Sequence, residues 1–316
     1  MKHIILSDIH ANFVALQAIS GLFKSNEKVK YWCLGDIIGY GPQPVESVSW
    51  TLKNCPGRWI AGNHDAWLIE EVQNKYPYNG NAVTLLKSHK WILQHKKQLY
   101  ATFLAQIEKQ LQRERTLTKG DTHWFQGLMK YRTQHIQAFF THGAAFPAER
   151  RLVDYMFPWS RERLTAHLHA LARYRESVSI SSVLLFVGHT HYPYLVTLNR
   201  DNELRYASIP YGEPISVEDG VWVIGCGASG QPRDGDPRAS FVILNPRSRS
   251  ITFRRVAYDV AQVEAAFRDD PSHLPFGVWK KMVERLRVGD RNAENAVRFE
   301  RVYRQTEWGL EANMNS

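Results

Sequence analysis

With 316 residues, 44% of them hydrophobic and 22% charged, the chain can bury a sizeable core, and its freedom from low-complexity tracts excludes a disordered protein. No apolar run reaches the roughly 20 residues of a membrane span, which excludes a helical bilayer-spanning protein. Forty Lys plus Arg against 31 Asp plus Glu give a formal net charge of +9, a balance that draws anionic partners without by itself establishing nucleic-acid binding.

In chain order, the first apolar run, 3–7, is cut short by Asp8 and His10, which argues against a signal peptide and for a buried strand. Residues 12–23 follow as a helix, because Phe13, Leu16, Ile19 and Phe23 recur at helical spacing. Runs at 29–34, 58–61, 138–141 and 183–187 read as further strands, and the alternation predicts α/β layers. Residues 76–137 turn polar and helix-prone, which predicts a helical insertion. Runs at 220–224, 240–244 and 250–256, the last two separated by Pro246 and Arg247, predict a β-meander in a second sheet. Beyond Tyr258, helix-like pieces at 260–267, 278–286 and 293–306, broken at Pro271 and Gly289, predict a helical C-terminal extension over 258–316 on a main domain of 1–257. The three cysteines, Cys33, Cys55 and Cys226, are odd in number and lack paired metal-ligand spacing, which fits a reducing, cytoplasmic setting.

Each strand of the first set delivers acidic, amide or imidazole side chains just past its C-terminal end, where α/β sheets place their ligands. The clusters are Asp8-Ile9-His10, Gly35-Asp36, Gly62-Asn63-His64-Asp65, Thr141-His142-Gly143 and Gly188-His189-Thr190-His191. A mixed imidazole and carboxylate set without thiolates suits a catalytic Zn, Mn, Fe, Co or Ni site better than a structural zinc of the cysteine type. Two such cations close together need a bridging carboxylate to offset their repulsion, and Asp36 is the natural bridge.

The ordered set DxH, GDxxG, GNHD, a lone strand-end histidine and GHTH resembles the calcineurin-like metallophosphoesterase superfamily over roughly residues 1–256. The GNHD loop together with GQPRDGDPR at 230–238 resembles its prokaryotic stand-alone phosphodiesterase-like branch. The resemblance implies a four-layer α/β/β/α sandwich and two divalent metal ions, with Mn first and Fe, Zn, Ni, Co or Mg as alternatives. Carried over by motif, Asp8, His10 and His191 hold one metal, Asn63, His142 and His189 the other, and Asp36 bridges. His64 becomes the general acid at the leaving oxygen, with Asp65 orienting its ring. The implied activity is hydrolysis of a nucleotide or nucleic-acid-derived phosphodiester by a water that the two metals activate. Alternatives are a phosphomonoesterase, a dinucleoside polyphosphate hydrolase, and a nucleic-acid-binding protein with an inactive site.

The run Gly35-Asp36-Ile37-Ile38-Gly39-Tyr40 lacks the arginine that many relatives carry after the GD pair, which counts against the protein Ser/Thr phosphatase branch. Arg233 and Arg238 are the candidates to contact phosphate instead. Asp234 and Asp236 could serve as extra metal ligands, and the flanking glycine and prolines account for them at least as well as turn formers. His3, His89, His95, His123, His135, His167 and His169 lack a ligand setting and read as structural or exposed. Lys87, Lys90, Lys96 and Lys97 around Trp91 could track a nucleic-acid backbone, and a solvated helical face accounts for the same pattern. Trp124 stays open as a stacking ring.

Overall fold

The run KHIIL forms strand β1 (Lys2–Leu6) because its apolar residues serve both faces of one sheet. Ile4 and Leu6 join a cluster beneath the helices on one side, while Ile5 faces a second sheet on the other. The computed structural model describes residues 1–301 other than 25, 78–80, 116–124, 127, 148–149, 271, 273, 291–294, 296 and 299–300. The same two-sided burial recurs in β5 (Ser182–Val187), where Val183, Leu185 and Val187 face one way and Leu184 and Phe186 the other.

Between β1 and β5 come α1 (Phe13–Ser20), β2 (Val29–Cys33), α2 (Pro44–Asn54), α3 (Asn63–Ala66), α4 (Glu70–Lys75), α5 (Asn81–Gln94), α6 (Lys97–Arg115), β3 (Met129–Arg132), β4 (Ile136–Thr141) and α7 (Arg161–Val178). After β5 follow β6 (Pro193–Leu198), β7 (Leu204–Tyr206), β8 (Ile215–Ser216), β9 (Gly220–Cys226), β10 (Ala239–Asn245), β11 (Ser250–Val256), α8 (Val260–Arg268) and α9 (Phe276–Val288). One sheet runs β2-β1-β10-β11-β8 and the other β3-β4-β5-β9-β6-β7. Ile5, Trp32, Phe140, Phe186, Val242 and Phe253 fill the space between them. Helices α1, α2, α5 and α6 cover the first sheet, whereas Leu164, Leu168 and Leu171 of α7 cover the second. The result is the expected α/β/β/α sandwich.

Several expected elements differ. Residues 58–61 form only an isolated parallel bridge between Cys33 and Trp59. The late runs are not one meander. Strand β9 lies between β5 and β6 in one sheet, while β10 and β11 form a hairpin beside β1 in the other. The cause is that β9 is apolar on both faces, with Val221 and Val223 toward α7 and Ile224 and Cys226 toward the opposite sheet. Such a strand is stable only inside a covered sheet. Within 76–137, α5 and α6 are helical, but the segment ends in β3, paired antiparallel with β4.

At the C-terminal end, α8 and α9 pack through Val263, Phe267, Trp279, Met282, Val283 and Leu286 onto Val14 of α1 and Leu85 of α5. Most of the helix expected over 293–306 lies outside the described residues, as do His123, Trp124 and Pro271. Among the described residues no helix is long and apolar enough to cross a membrane. All three cysteines are buried and free.

Candidate metal centre

Strands β1 and β2 are parallel in one sheet, as are β4 and β5 in the other. Their carboxyl ends deliver Asp8, His10, Asp36, His142, His189 and His191 to one buried locus, each at most 3% exposed. Asn63 and His64, at the start of α3, complete it. The backbone there is left-handed at Asp8, His10, Asp36, His189 and His191, with φ of 50–63°. A non-glycine residue held in that region costs roughly 1–3 kcal/mol and persists only where its surroundings over-determine it.

Three groups of side chains gather ligand atoms within 4.8 Å of one another: Asp8, His10 and His191; His10, Asp36 and His64; Asp36, His142 and His189. Hydrogen bonds at the outer ring nitrogens fix which atoms face inward. His10 Nδ1 donates to Ile38 O at 3.1 Å and His191 Nδ1 to Gln231 O at 2.6 Å. Their Nε2 lone pairs therefore point at each other across 3.2 Å. Asp8 Oδ1, 3.2 Å from His191 Nε2, is buried without a donor. His189 Nε2 donates to Val153 O at 3.2 Å, leaving a buried, unpartnered Nδ1. Convergent buried acceptors with no donor between them repel unless a cation joins them, so this donor set fits metal.

Asp36 stands between the groups, with Oδ2 3.6 Å from His10 Nε2 and Oδ1 3.5 Å from His142 Nε2. Asn63 Oδ1 lies 3.0 Å from the same His142 nitrogen. Burial holds His10, His189 and His191 well below the ordinary imidazole range, so the three rings are neutral and able to ligate. Burial alone would raise Asp36, but His142, His64 and His10 outweigh it and hold the carboxyl well below its usual value.

A cleft of about 170 Å³ opens over this locus, lined by Asp36, Asn63, His64, Trp67, Tyr155 and Arg233 among others. His64 is buried, its Nδ1 without a partner, and its ring stands edge-on to Trp67 at 4.9 Å. Asp65 does not meet that ring. Its carboxylate instead accepts N–H groups from Gly62 at 2.9 Å, Ile37 at 3.0 Å and Ile38 at 3.1 Å, clamping the Asp36 loop against the Asn63 loop. Arg233 enters the cleft, its guanidinium 5.5 Å above the Tyr40 ring. Arg238 does not. It is exposed, lies outside the cleft lining and forks onto Asp236, which together with Asp234 also pairs with the buried Arg255 side chain. Asp234 and Asp236 are thereby turn anchors.

Among the remaining histidines, His167 is buried in α7, accepting Ala145 N–H and donating to Arg163 O. His89 is buried beside the site. Sequence reasoning set it aside as structural or exposed, and did not single out Tyr155, whose ring stacks on His189 at 3.8 Å. Neither carries a motif, and only the partnership of α5 with the Gly39–Gly41 turn marks His89. Lys87, Lys90, Lys96 and Lys97 are exposed.

Fold and site together define a metal-dependent phosphoester hydrolase whose His and Asp clusters suit a dinuclear divalent centre. The family described as calcineurin-like phosphoesterase matches residues 1–193. The chain belongs to that family. It is 28% identical over 256 residues to the uncharacterized protein MJ0912 of Methanocaldococcus jannaschii, covering 81% of this chain and 87% of that one. The crystal structure of a metallophosphoesterase from Sphaerobacter thermophilus superposes with a TM-score of 0.61 at 29% identity, over 92% of this chain and 100% of the other. A hypothetical protein, PH1004 of Pyrococcus horikoshii OT3, shares the fold with a TM-score of 0.59 at 18% identity, over 89% and 97%.

Proposed function

We propose that this protein is a cytoplasmic phosphodiesterase acting on a nucleotide or nucleic-acid-derived diester. In this reading Asp8, His10 and His191 hold one divalent metal, Asn63, His142 and His189 a second, and Asp36 serves both, with manganese the first choice. When bound, the metal pair supplies Lewis-acid neutralisation of the phosphoryl oxygens and a more acidic water. The observation that carries the diester reading is the cleft lining. Among the described residues Arg233 is its one permanently cationic side chain, while Trp67, Pro77 and Ala82 flank the polar floor. A diester carries two organic substituents where a monoester carries one, so an apolar flank beside the polar floor suits the diester better.

Arg233 binds a non-bridging oxygen, and Trp67 offers a face to a flat substituent such as a base. His64 is the proton donor to the leaving oxygen. Burial holds its pKa down to about 4, and an entering phosphate anion favours the protonated ring. The test is hydrolysis of bis(p-nitrophenyl) phosphate beside p-nitrophenyl phosphate by chelated protein reloaded with Mn²⁺, Ni²⁺, Co²⁺, Zn²⁺ or Mg²⁺. Faster metal-dependent diester cleavage is expected, and a monoester preference would replace the reading with a phosphomonoesterase.

A further inference from the structure

Helix α5 turns one fully buried polar ring, His89, toward the site. Its two nitrogens bracket a single turn of chain: Gly39 N–H donates to Nδ1 at 3.1 Å, and Nε2–H donates to Gly41 O at 2.7 Å. On the other side that turn has no slack. A Cβ on Gly39 (φ +139°) would stand 2.6 Å from His10 Nδ1 and 2.8 Å from His64 Nδ1, and Gly41 N–H donates to His10 O at 2.6 Å. Residues 39–41 are thus a thin layer held between His89 and two imidazoles of the site. Tyr40 is the one side chain in that layer. Its ring meets His10 and His64, each at 4.8 Å between centroids, and carries the Arg233 guanidinium.

We propose that His89 is a positioning residue for substrate phosphate: by fixing both ends of the Gly39–Gly41 turn it sets Tyr40, and Tyr40 sets Arg233. The proposal rests on the reading of the cleft as a phosphate site, and it makes the helical insertion a working part of that site. An imidazole is suited to the task because one neutral ring offers an acceptor and a donor at fixed separation. Glutamine, with a carbonyl and an amide on one side chain, can imitate it.

The experiment uses metal-loaded full-length protein, with inorganic phosphate affinity read by calorimetry, KM and kcat on an ester the wild type cleaves, and metal content per chain. His89→Ala should weaken phosphate binding and raise KM by about tenfold while kcat falls less than about twofold and metal content holds. His89→Gln should restore most of the loss. Because both residues act on one contact, adding Arg233→Ala to His89→Ala should cost little more than Arg233→Ala alone. Additive losses, or unchanged phosphate affinity in a folded His89→Ala protein, would overturn the proposal. If the alanine variant does not fold, Tyr40→Leu carries the test: it must lose phosphate affinity to the same extent, and unchanged affinity overturns the idea. A wild type that binds phosphate yet cleaves no diester refutes the proposed activity alone, whereas one that binds no phosphate refutes both.

Discussion

At Gly62 a single hydrogen stands where any side chain would displace the proposed bridge, since a Cβ there collides with the Asp36 carboxylate and its backbone N–H. Gly62→Ala should therefore destabilise the fold by about 1–3 kcal/mol and leave substantially less metal per chain. Full metal content in the purified variant would show that the Asp36 loop can move aside. Asp65 is the complementary case. Its carboxylate receives N–H groups from three residues, so Asp65→Asn turns an amide toward buried donors and should cost about 2–3 kcal/mol, read as a lower urea midpoint. An unchanged midpoint would mean that water replaces those bonds. The clustering of the proposed ligands was legible in the sequence because all but Asn63 follow a strand end by one to four residues, and Asn63 follows the isolated bridge at Trp59. Two of the three partners of Asp65 are not, because Ile37 and Ile38 sit 27–28 positions away. Arg238 failed for a similar reason: QPRDGDPR does not say which arginine lines the cleft and which lies outside it.

Among the elements, α7 shows what periodicity can and cannot tell. Leu164, Leu168 and Leu171 lie on the face that covers the second sheet, while His167 and His169, two residues apart, diverge, with His167 buried and His169 bonding Asn202 O. The sequence does not show that His167 must stay neutral. Burial lowers its pKa to about 4, and its Nε2 accepts the Ala145 N–H at 3.1 Å. The unfolded chain binds this proton near pH 6.5, before the folded one does. The contribution is thus fully present above about pH 6.5 and is lost as pH falls toward 4, the loss amounting to about 3 kcal/mol at the acid end. Denaturant midpoints measured from pH 7 to 4.5 should fall more steeply for the wild type than for His167→Gln. Parallel curves would remove His167 from the acid sensitivity. Strand β9 shows the opposite limit: two apolar faces declare it buried, but which sheet receives it depends on long-range pairing that local pattern does not carry.

For the whole molecule, the question is whether 258–316 is an appendage, as its separate helix-like pieces suggest, or part of the cooperative fold. The layered sandwich was legible from strand order and motifs, whereas the packing of α8 and α9 was not, because their partners are Val14 and Leu85, far away along the chain. Trp279 sits in that cluster at 7% exposure, stacked with Phe267 at 6.1 Å. The loop after α9 also reaches the site: Gly235 N–H donates to Gly289 O at 3.2 Å, and Asp290 stands 3.9 Å from Arg233 Nε. Trp279→Ala removes a large buried side chain and should cost about 3–5 kcal/mol. If α8 and α9 belong to the cooperative unit, that loss lowers one transition for the whole chain, and circular dichroism and metal release move together. Two separated transitions, with the metal-retaining core melting at the wild-type midpoint, would instead make the extension an independent module and confine the Arg233 contacts to a local tether.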